Sequence, residues 1–305
     1  MLIGNMAWTS GQVAALGAAL LWSVSVAIYE RAGRKVPPLS LNLIKGVIAL
    51  CLMELVLAAQ GLLLKPLPPS ALGLLALSGF LGLGAGDTFF FAALNRLGTR
   101  RTLLFMLAAP PLTALMGRIL LAETVSAAAF TGITLTLIGV GWVVTERTQA
   151  DAAHGDRRRW EGIFLGMLVA LTWAGGSVLS RAVLKNSDIT PMQSAAVRMA
   201  ACVLFLVLWG PLHGEHVFGV ARRLFALRIW HLIVPATLLG TFLGIYLQQV
   251  AFARTDAGIA QTLLSTSPLF GIAVAAVLGE RVSRRAVLGA LVAFGGILLL
   301  CLAKR

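Results

Sequence analysis

The chain has 305 residues, 58% of them from the set AVILMFWYC and only 12% charged. Soluble domains sit nearer 45–50% apolar with glycine already counted and carry about 25% charged residues, whereas the 32 glycines here come on top of the apolar share and the mean hydropathy is +0.89. That excludes a water-soluble enzyme, a disordered chain and a disulfide scaffold. The three cysteines, Cys51, Cys202 and Cys301, each lie in an apolar run and read as buried thiols. The net charge of +13 falls in short clusters between apolar stretches, as juxtamembrane loops do, so nucleic acid is not an expected partner. The chain reads as an all-α polytopic membrane protein. Its first basic residue is Arg31, so the charged region of a cleavable signal is missing and the first apolar run is expected to stay as a membrane helix.

A membrane helix needs about 20 mostly apolar residues. Cutting at the polar clusters predicts ten spans, in order 11–30, 40–60, 71–94, 102–121, 126–145, 162–183, 191–211, 230–253, 258–278 and 285–302. Runs such as Ile48–Ala59 are continuously apolar, unlike the alternation of a membrane barrel. The polar stretch 146–161 separates a first half, 1–145, from a second, 162–305.

The halves repeat each other. Trp22 matches Trp173 at an offset of 151, and Pro38 and Lys45 match Pro191 and Arg198 at 153. Gly82, Gly86 and Pro110 match Gly240, Gly244 and Pro268 at 158; Glu123, Gly132 and Gly139 match Glu280, Gly289 and Gly296 at 157. The order is kept and the offset drifts only through loops. Five spans per copy is an odd number, so the second copy is expected to enter the membrane from the opposite side. Ten transmembrane helices as two inverted five-helix repeats are a transporter architecture.

These residues resemble a known family. A Trp in the first helix of each half, a basic residue seven positions after Pro in the second, a Pro in the fourth, and an Ala-Glu-Thr or Gly-Glu-Arg turn before the fifth are similar to EamA-type members of the drug/metabolite transporter superfamily. The resemblance covers nearly the whole chain. SPLF at 267–270 and LGERV at 278–282 fit best, while Ala-Pro-Pro at 109–111 stands where the pattern has Ser-Pro. It implies a ten-helix basket that carries small metabolites, such as amino acids or amphipathic compounds, by alternating access. It leaves the substrate open. The expected protein is therefore a multi-pass exporter of the cytoplasmic (inner) membrane, not an enzyme, without a cofactor, monomeric, with a small-molecule substrate and membrane lipid as its partners. The competing class is a polytopic membrane enzyme or lipid-processing protein, which needs catalytic acids or histidines clustered at one membrane face; the sequence offers no such cluster.

Ionisable groups inside spans are costly and mark function by default. Asp87 lies deep in the third span, followed by Thr88, and a short carboxylate cannot snorkel the roughly 10 Å that seven helical residues represent. Its counterpart is Ile245, so the shared scaffold does not require it. It is either a coupling or substrate-binding acid, or half of an ion pair with Lys45 or Arg118. Lys45 and Arg198 occupy equivalent places two turns into their spans. They either snorkel to the interface, or hold a helix end or a substrate carboxylate. Glu54 falls on the face of its helix opposite Lys45 and is set aside as interfacial. Trp22 and Trp173 lie away from the interfacial belt and read as packing residues or as walls of an apolar cavity. Tyr246, Gln248, Gln249, Gln261, Ser265 and Ser267 form the densest uncharged polar set, available for interhelical bonds or for a ligand. Ser78, Gly82 and Gly86 recur at four-residue spacing, a pattern for close helix contact and not a nucleotide loop. His213 and His216 lack a third metal ligand nearby.

Orientation sets two arguments against each other. Loops after the odd-numbered spans carry 16 Lys/Arg, against six in the termini and even-numbered loops. The positive-inside rule then puts the odd loops in the cytoplasm and both termini outside, whereas the family resemblance implies cytoplasmic termini. If the charge count decides, Ser10→Cys is labelled by an impermeant thiol reagent in intact cells. Absence of labelling would show that the charge count misorients the chain.

Overall fold

The structure is a computed structural model that describes residues 9–33, 36–93, 96, 105, 108–124, 126–144, 156–214, 219–220, 222, 228–271 and 284–302. Among the described residues all regular structure is helical. The helices are α1 (Ser10–Gly33), α2 (Pro38–Ala59), α3 (Pro69–Ala93), α4 (Ala109–Leu121), α5 (Ala127–Val144), α6 (Asp156–Asn186), α7 (Pro191–Trp209), α8 (Trp230–Arg254), α9 (Ala257–Leu264) and α10 (Arg284–Leu302). Among the described residues six stretches are long and apolar enough to cross a membrane: Ser10–Tyr29, Leu39–Ala59, Pro69–Ala93, Trp160–Asn186, Pro191–Leu212 and Trp230–Arg254. The shorter apolar stretches are Ala109–Leu121, Ala127–Gly139 and Val287–Ile297. Apolar segments in lipid become helices because only a helix satisfies every backbone N–H and C=O within itself.

Local chemistry sets several helix ends. Proline stands in the first turn of α2, α3, α4 and α7, where its missing N–H costs nothing. Thr190 and Gln193 form a reciprocal capping box at the start of α7. The expected ninth span, 258–278, is not continuous: α9 stops at Leu264, turns at 265–266 and resumes over 267–271. Pro268 explains the break, since its ring clashes with the carbonyl four residues earlier, that of Leu264. The equivalent Pro110 follows a turn at Ala108 in the fourth span. The LGERV motif, 278–282, lies outside the described residues.

The repeated landmarks meet each other across the halves. At Gly139 on α5 an added Cβ would lie 2.6 Å from Gly289 O on α10; at the equivalent Gly296 on α10 it would lie 2.8 Å from Gly132 O on α5. Each glycine thus packs on the backbone of the other half, and the two contacts are one contact repeated. A repeated contact also occurs where α1 crosses α8 and α6 crosses α3, here between glycine and a tryptophan side chain. A Cβ at Gly244 would be 2.6 Å from Trp22 Nε1, and one at the equivalent Gly86 would be 2.6 Å from Trp173 Cδ1.

At one end of the bundle an ion pair joins the halves. Ala122 adopts φ 50°, the left-handed region, which turns Glu123 back beneath α4. Its carboxylate accepts from Arg181 Nε on α6 at 2.8 Å and from the Ala257 backbone N–H, at the start of α9, at 3.0 Å. Arg181 Nη1 also donates to the carbonyls of Phe252 and Ala253 at the end of α8, at 2.8 and 3.1 Å. One carboxylate and one guanidinium together satisfy a helix start and a helix end.

The backbone seam between α5 and α10 cannot give way as a flexible side chain can. Gly139→Ala and Gly296→Ala are each expected to destabilise the protein by about 1–3 kcal/mol through overpacking. Gly73→Ala, where nothing lies within 4 Å, serves as the unhindered control and is expected to be no less stable than the wild type. Unfolding in mixed micelles measures all three, and equal stability of the three variants would contradict the seam.

Candidate functional site

Two helices carry a π-helical turn at matched places: Phe80–Gly86 in α3 and Thr237–Leu243 in α8. In such a turn the N–H reaches five residues back instead of four, which widens the helix; single turns of this kind gather at functional sites. The partner helix of the opposite half docks on each. Along one face of α1, Trp22 Nε1 donates to Gly240 O at 2.9 Å, Ser25 Oγ to Ala236 O at 3.0 Å, and the Tyr29 hydroxyl bonds Thr237 Oγ1 at 2.9 Å and Thr241 Oγ1 at 3.1 Å. On the other side, Ser78 Oγ in α3 donates to Gly176 O at 2.6 Å and meets Ser180 Oγ at 3.0 Å, both on α6. Asn42 on α2 reaches Leu83 O inside the α3 π turn at 3.2 Å.

The charged centre lies where the α3 π turn ends. Asp87, the next residue, accepts from Lys45 Nζ at 2.7 Å, with side-chain exposures of 18% and 11% respectively. The Lys45 ammonium also lies 5.2 Å from the centroid of the Phe91 ring, a cation–π contact. Thr88 Oγ1 donates to Gly84 O at 2.6 Å, closing the end of the π turn. Of the two expected partners for Asp87 the structure selects Lys45, and Lys45 turns inward to the acid instead of snorkelling. Arg198 on α7 is 2% exposed. It donates from Nη1 to Gln248 Oε1 on α8 at 3.3 Å, and among the described residues its Nε has no partner. Gly82 in the α3 π turn leaves room for the guanidinium: a Cβ there would lie 3.0 Å from Nη2.

The other expected site residues divide. Gln249 accepts from Ser194 at 2.8 Å, joining α8 to α7 beside this centre. Gln261 accepts from Ser177 at 2.9 Å and Ser265 donates to the Gln261 backbone carbonyl at 2.9 Å, so that pair ties α9 to α6. Tyr246 is half-buried against the apolar core. Trp22 spends its indole N–H on Gly240, whereas Trp173 lies against Gly86 and 5.5 Å from the Phe90 ring. Sequence reasoning missed Tyr29, Asn42, Thr237 and Thr241. The available signal was the four-residue spacing of the two threonines, on one helix face in the segment that matches the α3 glycines. Among the described residues no group of His, Cys, Asp and Glu is arranged to hold a metal; His216 lies outside them.

A chain of this composition, with six membrane-length helices and helices from two equivalent halves crossing at repeated glycines, invites comparison with known transporters. The EamA-like transporter family matches it twice, over residues 9–145 and 160–302. The chain belongs to that family. It is thereby a multi-pass integral membrane protein of the drug/metabolite transporter type, built from two repeats. A solved crystal structure, described only as that of a protein, superposes with a TM-score of 0.77 over 98% of this chain and 99% of its own, at 19% identity. At that identity the likeness speaks for the fold alone. No curated protein matches the chain.

In this EamA-like protein Trp22→Phe removes the indole donor to the Gly240 carbonyl in the α8 π turn. Stability is expected to fall by about 1 kcal/mol with helicity unchanged. Unfolding in mixed micelles followed by circular dichroism checks this, and an unchanged midpoint would show that the bond contributes nothing.

Proposed function

We propose that this EamA-like protein is a secondary transporter that moves small organic solutes outward across the cytoplasmic membrane. In this reading ten segments cross the bilayer, the second five inverted relative to the first, and the repeats rock about a central site. The carrying observation is the Lys45–Asp87 pair at 2.7 Å, buried in the bundle but only partly covered. A pair sealed from water has only a structural use; one left with an opening can exchange its partner or its proton. Its position directly after a π turn supports this, because single turns of this kind gather at functional sites and the irregular backbone there can rearrange. Protonation of Asp87 frees Lys45, which gives a route to couple solute flux to a proton gradient.

Asp87→Asn tests the reading. In proteoliposomes the variant is expected to exchange solute at equal concentrations but to lose accumulation against a gradient at least tenfold. A purely structural pair predicts instead that Asp87→Asn folds poorly, with a lone buried cation, and that Asp87→Asn/Lys45→Gln recovers folding and accumulation alike. Normal accumulation by Asp87→Asn across the pH range would remove Asp87 from the mechanism. Failure of the wild-type protein to move any solute in a screen of amino acids, organic acids, nucleosides and cationic dyes would remove the transport reading itself.

A further inference from the structure

Within the charged centre the charges do not balance. Lys45 and Arg198 bring two cations, Asp87 brings one carboxylate, and that carboxylate is 2.7 Å from Lys45. Arg198 is left with a neutral amide at 3.3 Å and, among the described residues, no partner for Nε. A second buried arginine in this chain shows what a structurally satisfied one looks like. Arg181, 8% exposed, donates to two backbone carbonyls and pairs with Glu123 at 2.8 Å and Asp256 at 3.4 Å. Removing a guanidinium from water costs several kcal/mol unless an anion or a full set of acceptors replaces the water. Arg181 has both. Arg198 has neither.

The repeat shows where the missing carboxylate belongs. Lys45 and Arg198 are equivalent, and each faces the third helix of its own half: Lys45 meets α3 at Asp87, Arg198 meets α8 at Gln248. The α8 residue equivalent to Asp87 is Ile245, a buried apolar residue. The second half therefore repeats the cation without its acid.

We infer that the solute supplies that acid: the transported molecules carry a single negative charge, a carboxylate, which is taken by the Arg198 guanidinium. This rests on the transport reading above and narrows it to a substrate class. A monoanion brings the centre to neutrality; an uncharged solute leaves a buried positive charge, a cation adds to it, and a dianion overshoots. The planar guanidinium fork suits a carboxylate, which accepts two parallel N–H bonds. Gly82 keeps α3 from crowding the Nη2 edge of that fork. At 2% exposure Arg198 is covered here, so the solute reaches it in the conformation that parts α7 from α3.

The test is counterflow in proteoliposomes of the wild-type chain, with straight-chain and aromatic monocarboxylates, the amides and amines of the same carbon skeletons, and the matching dicarboxylates. At least one monocarboxylate is expected to move tenfold or more faster than its amide, amine and dicarboxylate. Equal flux of carboxylate and amide, or a preference for amines or dicarboxylates, would overturn the inference while leaving the transport reading standing. Absence of flux for the panel and for a wider screen of nucleosides and dyes would fell both. Two variants localise the effect. Arg198→Gln is expected to bring the carboxylate down to the rate of its amide. Ile245→Asp, which provides the acid internally, should fold at least as stably as the wild type and lose carboxylate flux tenfold or more. Retention of the carboxylate preference by Ile245→Asp would overturn the inference even if Arg198→Gln fails to fold.

Discussion

A bilayer offers no water to a buried charge, and that constraint orders this structure. Among the described residues three basic side chains, Lys45, Arg181 and Arg198, are buried in the bundle, and each is answered differently. Arg181 meets two carboxylates and two carbonyls, a full set, and so fixes the ends of α4, α8 and α9 to α6. Lys45 meets one carboxylate with part of the pair still open to the surroundings. Arg198 meets a neutral amide. The bundle is firmly tied at one end and progressively less satisfied toward its charged centre, which is where a solute carrier needs freedom to rearrange.

The contacts between halves fall into two kinds with different mechanical consequences. Where α5 meets α10, glycine lets backbone press on backbone through Gly139 and Gly296. No rotamer change can relieve or remake such a contact, so the seam acts as a fixed element. Where α1 meets α8 and α6 meets α3, the contact is made by Trp22, Ser25, Tyr29 and Ser78 donating to or sharing hydroxyl and carbonyl groups. Those bonds can be exchanged for others within the same polar set at small cost, since interhelical hydrogen bonds in membranes average only about 0.6 kcal/mol. In the proposed cycle the hydroxyl-lined crossings move and the glycine seam holds.

The landmarks of the repeat were legible because duplication leaves the same residue types in the same order. Trp22 with Trp173 and Gly139 with Gly296 could be matched with no structural knowledge. What the matching could not say is that each such residue packs against the other half, because identical offsets describe equivalence and not contact. The π turns were not legible: FLGLGAG and TLLGTFL share little beyond one glycine position, and the shift to a five-residue hydrogen bond depends on how α1 and α6 dock. Asp87 stood out through its cost in lipid, but choosing Lys45 over Arg118 required geometry, since 42 residues separate the pair. The break in the ninth span was readable in principle from Pro268, yet an uncharged run of span length around it outweighed a single proline.

Internal duplication also provides a way to tell drift from function without any second protein. Ser25 and Gly176 are equivalent, as are Ala236 and Ser78. In one crossing the hydroxyl comes from the first helix, Ser25 donating to Ala236 O; in the other it comes from the third, Ser78 donating to Gly176 O. The residues differ but the bond between the same two positions survives with its donor moved across, so the difference is neutral to the scaffold. Asp87 and Ile245 are also equivalent and also differ, but nothing on the other side of that contact compensates. Arg198 keeps its charge where Lys45 keeps its own, and only one of them is given a carboxylate. A substitution that preserves the contact asks for no explanation beyond packing. One that leaves a buried charge without a carboxylate carries a cost in stability, and under the proposed function that cost marks the α7–α8 side of the centre as the place where the solute is taken.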